Sequence, residues 1–282
     1  MQVLAPRNPA GARRPGGRRS SIAPALWIPA GLALALLVLP LVALVVRAPW
    51  GSLGELLSRQ EVAQALGLSL GSAALATAIC LLLGVPLAVI LARSAQWPPP
   101  VRRLVRALVT VPLVLPPVVG GVALLLLLGR RGLIGQWLDE WFGFTIPFTT
   151  VAVVIAQVFV AMPFLVLAVE GAIRGVDARF ETAAATLGAS RFTVFRRITL
   201  PLVAPGISAG ALLCFTRALG EFGATITFAG SFPGVTQTLP ITTYLELQRD
   251  PDAAIALSLV LMVVSVAVLV SLRDRWVPGL SA

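Results

Sequence analysis

The chain has 282 residues, of which 57% are hydrophobic and only 12% charged, and its formal net charge is +10. This balance excludes an ordinary soluble domain and predicts an all-helical protein that crosses a membrane several times. The sequence contains no histidine and no lysine, which excludes a P-loop, a lysine Schiff base, an HExxH zinc site and a Ser-His hydrolase.

Residues 1–21 precede the first apolar run and are rich in arginine, glycine and proline. Such a segment can bury too little apolar surface to fold, so we predict a disordered tail. Arg18 and Arg19 stand just before the run, as in a twin-arginine export signal. The run, however, exceeds the roughly 7–15 apolar residues of a typical signal sequence. An uncleaved first membrane helix is therefore predicted.

Six apolar windows are long enough to cross a hydrocarbon core, which takes about 20 residues. They cover residues 22–46, 62–92, 107–129, 149–169, 205–229 and 253–272. Runs of this kind are expected to be helices, because a helix satisfies its own backbone hydrogen bonds in lipid. We therefore predict a six-helix membrane domain over residues 22–276, followed by a short cytoplasmic end at 277–282.

Arginines cluster before the first predicted span, between the second and third, and between the fourth and fifth, whereas acidic residues prevail in the alternate connections. Because arginine near a span end resists translocation, the arginine-rich connections and both termini are predicted to be cytoplasmic. The positive net charge is thus explained by orientation and by anionic lipid headgroups rather than by nucleic acid.

Small residues and prolines are expected to shape the packing of the spans. Close helix approach is predicted along two rows of small residues, which are Gly67, Gly71 and Ala74 in the second span and Gly206, Ala209, Gly210, Gly220 and Gly223 in the fifth. Kinks are predicted at Pro86, Pro112, Pro116 and Pro117. Cys80 and Cys214 have no paired spacing and are predicted to be small buried hydrophobes.

The polar stretch 181–201 interrupts two apolar runs and predicts two short helices joined at Gly188, which permits a left-handed helix end. Ser190 is expected to cap the second helix, and Pro201 to stop it before the fifth span. One apolar face of the first helix is expected to lie against the ends of the membrane helices; it comprises Phe180, Ala183, Ala184 and Leu187. Phe192 and Phe195, flanked by arginines, suit insertion into a partner's cleft. The residues alone equally allow an amphipathic helix lying on the headgroups.

The stretch also resembles a known motif. Gly188 is followed by nine residues, then Ile198, one further residue and Leu200-Pro201, and this spacing is similar to that of the EAA loop of ABC-importer permeases. The resemblance implies a loop that seats in a groove of a cytoplasmic ATPase subunit. It assigns coupling roles to Glu181, Thr182, Ala183, Ala184, Gly188, Phe192, Phe195, Ile198, Leu200 and Pro201. The family's leading glutamate position is occupied by Thr182, with Glu181 one place earlier.

The fifth span holds the one deep carboxylate, Glu221, four residues after Arg217. This spacing puts both side chains on one helix face, where an ion pair reduces the cost of charge in the bilayer. The pair is interpreted either as a gate or lining element of an anion path or as a structural ion pair. Thr225 and Thr227 offer hydroxyls to an oxyanion or bond their own helix backbone.

Residues 232–250 form the last connection. Pro233-Gly234 predicts a turn, and Pro240 predicts a helix start. Ile241, Tyr244, Leu245 and Gln248 follow at helical spacing. We predict a short surface helix that either receives an extracytoplasmic binding protein, as family resemblance implies, or serves as a plain interfacial connector with Tyr244 at headgroup depth.

Residues 217–225 and 229–240 resemble the molybdate-type permeases, and sulfate permeases carry a related Gly-Glu-Phe/Tyr-Gly segment. The resemblance implies the permease subunit of a type I ABC importer for molybdate or tungstate, without catalytic residues, metal or cofactor of its own. The implied partners are two cytoplasmic ATPase subunits, a second copy of the permease and an extracytoplasmic oxyanion-binding protein. The alternatives are a permease for sulfate, thiosulfate or phosphate, a channel or secondary transporter, and a membrane-embedded enzyme.

Overall fold

The computed structural model describes residues 26–271, and within this stretch the chain is almost entirely helical and has no β-strand. The α-helices are α1 (Trp27–Val46), α2 (Leu53–Ser58), α3 (Gln60–Ala92), α4 (Pro99–Val114), α5 (Pro117–Leu128), α6 (Gly135–Phe142), α7 (Thr150–Arg174), α8 (Ala178–Thr186), α9 (Arg191–Val194), α10 (Leu200–Leu219), α11 (Gly223–Ala229), α12 (Leu239–Arg249) and α13 (Pro251–Ser271). A π-helical turn, Phe195–Thr199, lies between α9 and α10. The predictions for residues 1–21 and 277–282 lie outside the described residues.

The chain divides into two compact units, one ending at Val46 and the other beginning at Arg47. The described part of the first unit is essentially α1, a 20-residue helix with no buried residue. Its large apolar side chains are exposed along its length, for example at Ile28 and Leu36. A helix that is apolar on every side suits contact with lipid, as the first predicted span requires.

The predicted membrane spans are largely confirmed. Within residues 26–271, five helical stretches are long and apolar enough to cross a membrane: Trp27–Val46, Gln60–Ala92, Thr150–Arg174, Arg191–Leu219 and Pro251–Val268. A sixth results if the bent pair α4 and α5 is counted as one span. The chain therefore has the helix content of a multi-pass membrane protein.

The third predicted span differs from the expectation of one kinked helix, because α4 and α5 meet at a bend of 116°. Leu115 and Pro116 both have extended backbones, with ψ of 132° and 134°. Each of them precedes a proline, and a following proline disfavours the helical conformation. Two such residues in succession break the helix outright, whereas Pro86 and Pro112 are accommodated inside α3 and α4.

The core of the second unit is formed by α3, α7 and α10. Its fully buried residues include Ala76 and Cys80 of α3, Leu165 of α7, and Cys214 and Ala218 of α10. The Cys80 thiol donates to the backbone carbonyl of Val158 at 3.8 Å. Both cysteines are thus buried side chains of the core, as predicted.

Small residues bring α10 and α7 together. A Cβ added at Gly206 would lie 2.3 Å from Cβ of Ala172, and one at Gly210 would lie 3.0 Å from Leu165. The predicted close packing is therefore confirmed here. It is wrong for Gly67 and Gly71 of α3, because an added Cβ would meet nothing within 4 Å in the described chain. The sequence pattern of small residues does not specify which helix face meets a neighbour.

A second cluster joins α5, α7 and α11, and a third joins α3, α12 and α13. The connection ahead of α12 contains Gly234 at φ +72° and ends where the backbone N–H of Leu239 donates to Ser69 Oγ at 2.7 Å. The hydroxyl of Thr150 donates to the Val235 carbonyl. The turn at Pro233-Gly234 and the helix start near Pro240 are both confirmed.

Candidate functional site

The polar loop folds as two short helices that meet at Gly188, whose φ is +81°. The N–H of Gly188 donates to Ala185 O at 3.0 Å and that of Ala189 to Ala184 O at 3.1 Å, so the left-handed residue satisfies the last carbonyls of α8. The hydroxyl of Ser190 then accepts the N–H of Thr193 at 3.2 Å. Both sequence predictions about this junction, the left-handed glycine and the serine cap, are confirmed.

Three large apolar side chains in the loop or directly before it are more than half exposed, with Phe180 at 57%, Leu187 at 88% and Phe192 at 70%. The prediction that the face with Phe180 and Leu187 lies against the ends of the membrane helices is therefore wrong within the described chain. Ala183 is exposed and Ala184 half-buried, so the first helix turns little apolar surface inward. Phe195 and Ile198 are half-buried, and Phe192 is thus the more accessible of the two phenylalanines.

Glu181 is engaged within the chain. Its Oε1 accepts from Arg93 Nη2 at 3.1 Å and from the Thr199 hydroxyl at 2.5 Å. Thr182, which occupies the leading position of the motif, donates its hydroxyl to Ala178 O of its own helix. One oxygen of Glu181 is therefore held within the chain, and Thr182 has no charge to offer a partner.

Pro201 does not stop the helix, contrary to the prediction. Residues Arg191–Leu219 form one continuous helical stretch, in which Leu200 and Pro201 open α10. A proline ring clashes with the carbonyl four residues earlier in an α-helix. The π-helical turn Phe195–Thr199 lies at that place and widens the helix there.

The fifth predicted span breaks after Leu219, and Glu221 lies in the break. Its Oε2 is 2.6 Å from Arg217 Nη1, and its Oε1 accepts the N–H of Ala224 at 2.8 Å. Glu221 is 1% and Arg217 26% exposed. The ion pair predicted from the sequence is present, and the glutamate additionally caps the first turn of α11.

The two threonines of α11 differ. Thr227 donates its hydroxyl to Gly223 O of its own helix at 2.9 Å. Thr225 is fully buried, and its hydroxyl has no hydrogen-bond partner within residues 26–271.

The helices α5 and α11 approach each other through glycine. A Cβ added at Gly121 would lie 2.7 Å from Cβ of Thr227 and 2.8 Å from the Ala224 carbonyl oxygen, and one at Gly223 would lie 2.8 Å from Pro117. Phe222, next to Glu221, contacts the ring of Tyr244 of α12 at a centroid distance of 5.1 Å. The break that holds Glu221 is therefore enclosed by α5 on one side and touches α12.

Sequence reasoning missed a second charged cluster. Glu170, only 8% exposed at its side chain, pairs with Arg174 at 2.8 Å and with Arg106 of α4. The spacing of Glu170 and Arg174 was readable as a helical pair. The contribution of Arg106 was not, because it depends on how α4 packs against α7. Gln157 was also missed, although it is the one amide in the window 149–169 and is 1% exposed.

Residues 84–278 match the family described as "Binding-protein-dependent transport system inner membrane component". The chain is 50% identical over 250 residues to the "Molybdenum transport system permease protein ModB" of Mycobacterium tuberculosis, covering 89% of this chain and 93% of that protein. It is 42% identical over 218 residues to the protein of the same name from Escherichia coli K12, covering 77% and 94%.

Among solved structures, the chain resembles one from the crystal structure of a bacterial alginate ABC transporter in complex with an alginate pentasaccharide-bound periplasmic protein. The TM-score is 0.62 at 16% identity, with 89% of this chain and 98% of that chain covered. At this level of identity the likeness concerns the fold, and the fold is that of an ABC-importer membrane subunit.

Proposed function

The chain belongs to the family of binding-protein-dependent transport system inner membrane components, and from that premise we propose that it is the permease subunit of a type I ABC importer for molybdate or tungstate. The observation that carries the substrate is the 50% identity, over 89% of the chain, to a molybdenum transport permease. The relatives are permease proteins, so the chain is a non-catalytic subunit, and ATP hydrolysis is assigned to a separate polypeptide.

We propose that two copies of the chain form the path, with both termini in the cytoplasm. Support comes from the end of the bundle that carries Glu181, where nine arginines gather; they are Arg93, Arg102, Arg103, Arg106, Arg174, Arg179, Arg191, Arg196 and Arg197. Arginine-rich connections remain on the cytoplasmic side. The opposite end, with α12, would then receive the oxyanion-binding protein, a partner class seen with the alginate transporter.

The polar loop is proposed to seat in the ATPase subunit. The support is the exposed apolar surface of Phe180, Leu187 and Phe192, since large apolar side chains left in water mark contact sites. Closure of two ATPase subunits on ATP would draw the two loops together and turn the helices that follow them.

Arg217 is proposed to meet the passing oxyanion, and Glu221 to hold it in place. Arg217 keeps a quarter of its side chain exposed and uses one terminal nitrogen for the ion pair. A guanidinium offers five N–H donors, so donors are left over for an oxyanion. Glu221 has both oxygens engaged and fixes the orientation of the arginine. Thr225 and Thr227 are proposed to contribute to packing of the gate.

Phe192→Ala is expected to weaken capture of the ATPase about tenfold or more, because a large exposed apolar contact is removed from the centre of the loop. The measurement is the concentration of purified ATPase needed to form the complex in detergent. Phe142→Ala is the matched control, since Phe142 is 73% exposed on α6, at the other end of the bundle. Equal affinity of the Phe192→Ala and unchanged proteins would contradict the docking role.

The substrate is tested by uptake of radiolabelled molybdate into a permease-deficient strain that carries this chain with its ATPase and binding protein. Unlabelled molybdate and tungstate are expected to compete, and a large excess of sulfate, thiosulfate or phosphate is not. Competition by sulfate at equal concentration would identify a sulfate permease instead. Uptake that persists with an ATPase unable to hydrolyse ATP would identify a channel or secondary transporter.

A further inference from the structure

The carboxylate of Glu181 joins three separate elements at the arginine-rich end of the bundle. It lies in the first turn of α8, and its Oε1 accepts from Arg93 and from Thr199. Arg93 directly follows the 33-residue helix α3. Thr199 is the last residue of the π-helical turn ahead of α10. One oxygen atom therefore ties the polar loop to the ends of two core helices.

The burial of these groups shows which of them depend on the carboxylate. Thr199 is only 1% exposed, so water does not replace the glutamate as partner of its hydroxyl. The side chains of Glu181 and Arg93 are 34% and 48% exposed. If Glu181 turned outward to a partner protein, the Thr199 hydroxyl would lose its acceptor in a place closed to solvent.

The two helices that Glu181 joins, α3 and α10, are central to the fold. Both α3 and α10 belong to the buried core with α7, and α10 ends at Leu219, two residues before Glu221. The π-helical turn that holds Thr199 has weaker backbone geometry than an α-helix and is a natural place to bend. A displacement of α8 would therefore be transmitted through the hydrogen bonds of Glu181 to both α3 and α10.

We infer that Glu181 is a positioning residue that transmits movement of the loop to α3 and α10 inside this chain, and that it is not a contact to the ATPase. This inference rests on the proposed function, because the movement is the one that ATPase closure would drive. The surface offered to the partner is then the apolar one, Phe180, Leu187 and Phe192. The position that holds a glutamate in the family, Thr182, carries no charge that would substitute for it.

The test uses the whole complex of permease, ATPase and binding protein in proteoliposomes, with assembly, ATP hydrolysis and molybdate uptake measured on the same preparation. Glu181→Ala and Thr199→Val are expected to assemble normally and hydrolyse ATP, while the molybdate moved per ATP falls about tenfold, because each change removes the hydrogen bond between the carboxylate and the buried hydroxyl. The double variant is expected to move no less molybdate per ATP than the Glu181 single variant, because both changes remove the same hydrogen bond.

Two matched controls distinguish loss of the Glu181–Thr199 hydrogen bond from general damage to the loop. Thr186→Val removes an exposed hydroxyl of the same helix that bonds only Ala183 O within α8, and Thr199→Ser keeps the hydroxyl from which Glu181 accepts. Both are expected to retain coupling. Failure of Glu181→Ala to bind the ATPase would overturn the inference, since it would make the carboxylate an intersubunit contact. An unchanged ratio of molybdate to ATP would overturn it as well.

A readout without substrate distinguishes failure of this inference from failure of the proposed function. Amide hydrogen exchange of residues 181–201 is measured on the permease alone in detergent. Glu181→Ala and Thr199→Val are expected to speed exchange in α8 and in the π-helical turn, whereas Thr186→Val is not. If neither Glu181→Ala nor Thr199→Val changes the exchange rates, the inference is overturned even if the protein transports a different anion. Absence of molybdate uptake by the unchanged complex would overturn only the proposed function.

Discussion

Changing Arg217 to glutamine is expected to destabilise the protein more than changing Glu221 to glutamine, and the double change is expected to recover part of the loss. The ion pair has one fully buried partner, Glu221 at 1% exposure, and one partly exposed partner, Arg217 at 26%. The glutamate is therefore the charge that cannot reach solvent when it is left alone. Removing one partner of a buried pair costs about 3–5 kcal/mol, whereas a neutral pair costs less.

The measurement is the thermal midpoint and the yield of monodisperse protein in detergent for the two single variants and the double variant. Arg130→Gln is the control, because Arg130 pairs with Asp139 at 2.8 Å while 76% of its side chain is exposed. An exposed pair of this kind is screened by water and contributes little to stability. Losses that simply add in the Arg217 and Glu221 double variant would show that the two charges do not depend on each other.

Gly121→Ala is expected to destabilise the protein by about 1–3 kcal/mol, the usual effect of forcing extra atoms into a packed interior. The new Cβ would lie 2.7 Å from Thr227 Cβ and 2.8 Å from the carbonyl oxygen of Ala224. The second of these atoms is backbone, so relief requires α5 and α11 to move apart. Transport is expected to fall with stability, because α11 is the helix that Glu221 caps.

Gly171→Ala is the matched control for this steric prediction. Gly171 also lies inside a helix, α7, but an added Cβ there would meet nothing within 4 Å. Alanine favours the helix over glycine by up to about 1 kcal/mol, so this variant is expected to be as stable as the unchanged protein or slightly more so. If both variants melt at the same temperature, the close approach of α5 and α11 is not a constraint on the fold.

In the polar loop, predictions from neighbouring residues were correct for Gly188 and Ser190 and wrong for Pro201. Gly188 and Ser190 behave as predicted because a left-handed helix end and a serine cap are satisfied by atoms a few residues away. Pro201 does not behave as predicted, because the helix absorbs it by a π-helical turn. The rule that proline ends a helix describes an ideal α-helix. Widening one turn costs less free energy than ending a helix that continues into the membrane core.

Side-chain partners across the fold followed no local rule. Leu187 reads as part of an inward apolar face but is 88% exposed, and Glu181 reads as a candidate contact to a partner but bonds Arg93 and Thr199. Periodicity identifies a face of a helix without saying what lies opposite it. The Arg217–Glu221 pair was predictable because both members lie within one turn of helix.

By itself, the sequence determined the number and positions of the apolar segments and the polar loop between them, because each depends on backbone hydrogen bonding in lipid and on residues within a few positions. The lack of histidine and lysine also excluded several chemistries. Only the tertiary structure decided that the third segment turns by 116°, that Glu221 caps α11 while pairing with Arg217, and that Glu181 ties α8 to α3 and α10. These contacts depend on the angles at which helices cross, which shape complementarity over the whole core sets and no short window of sequence contains.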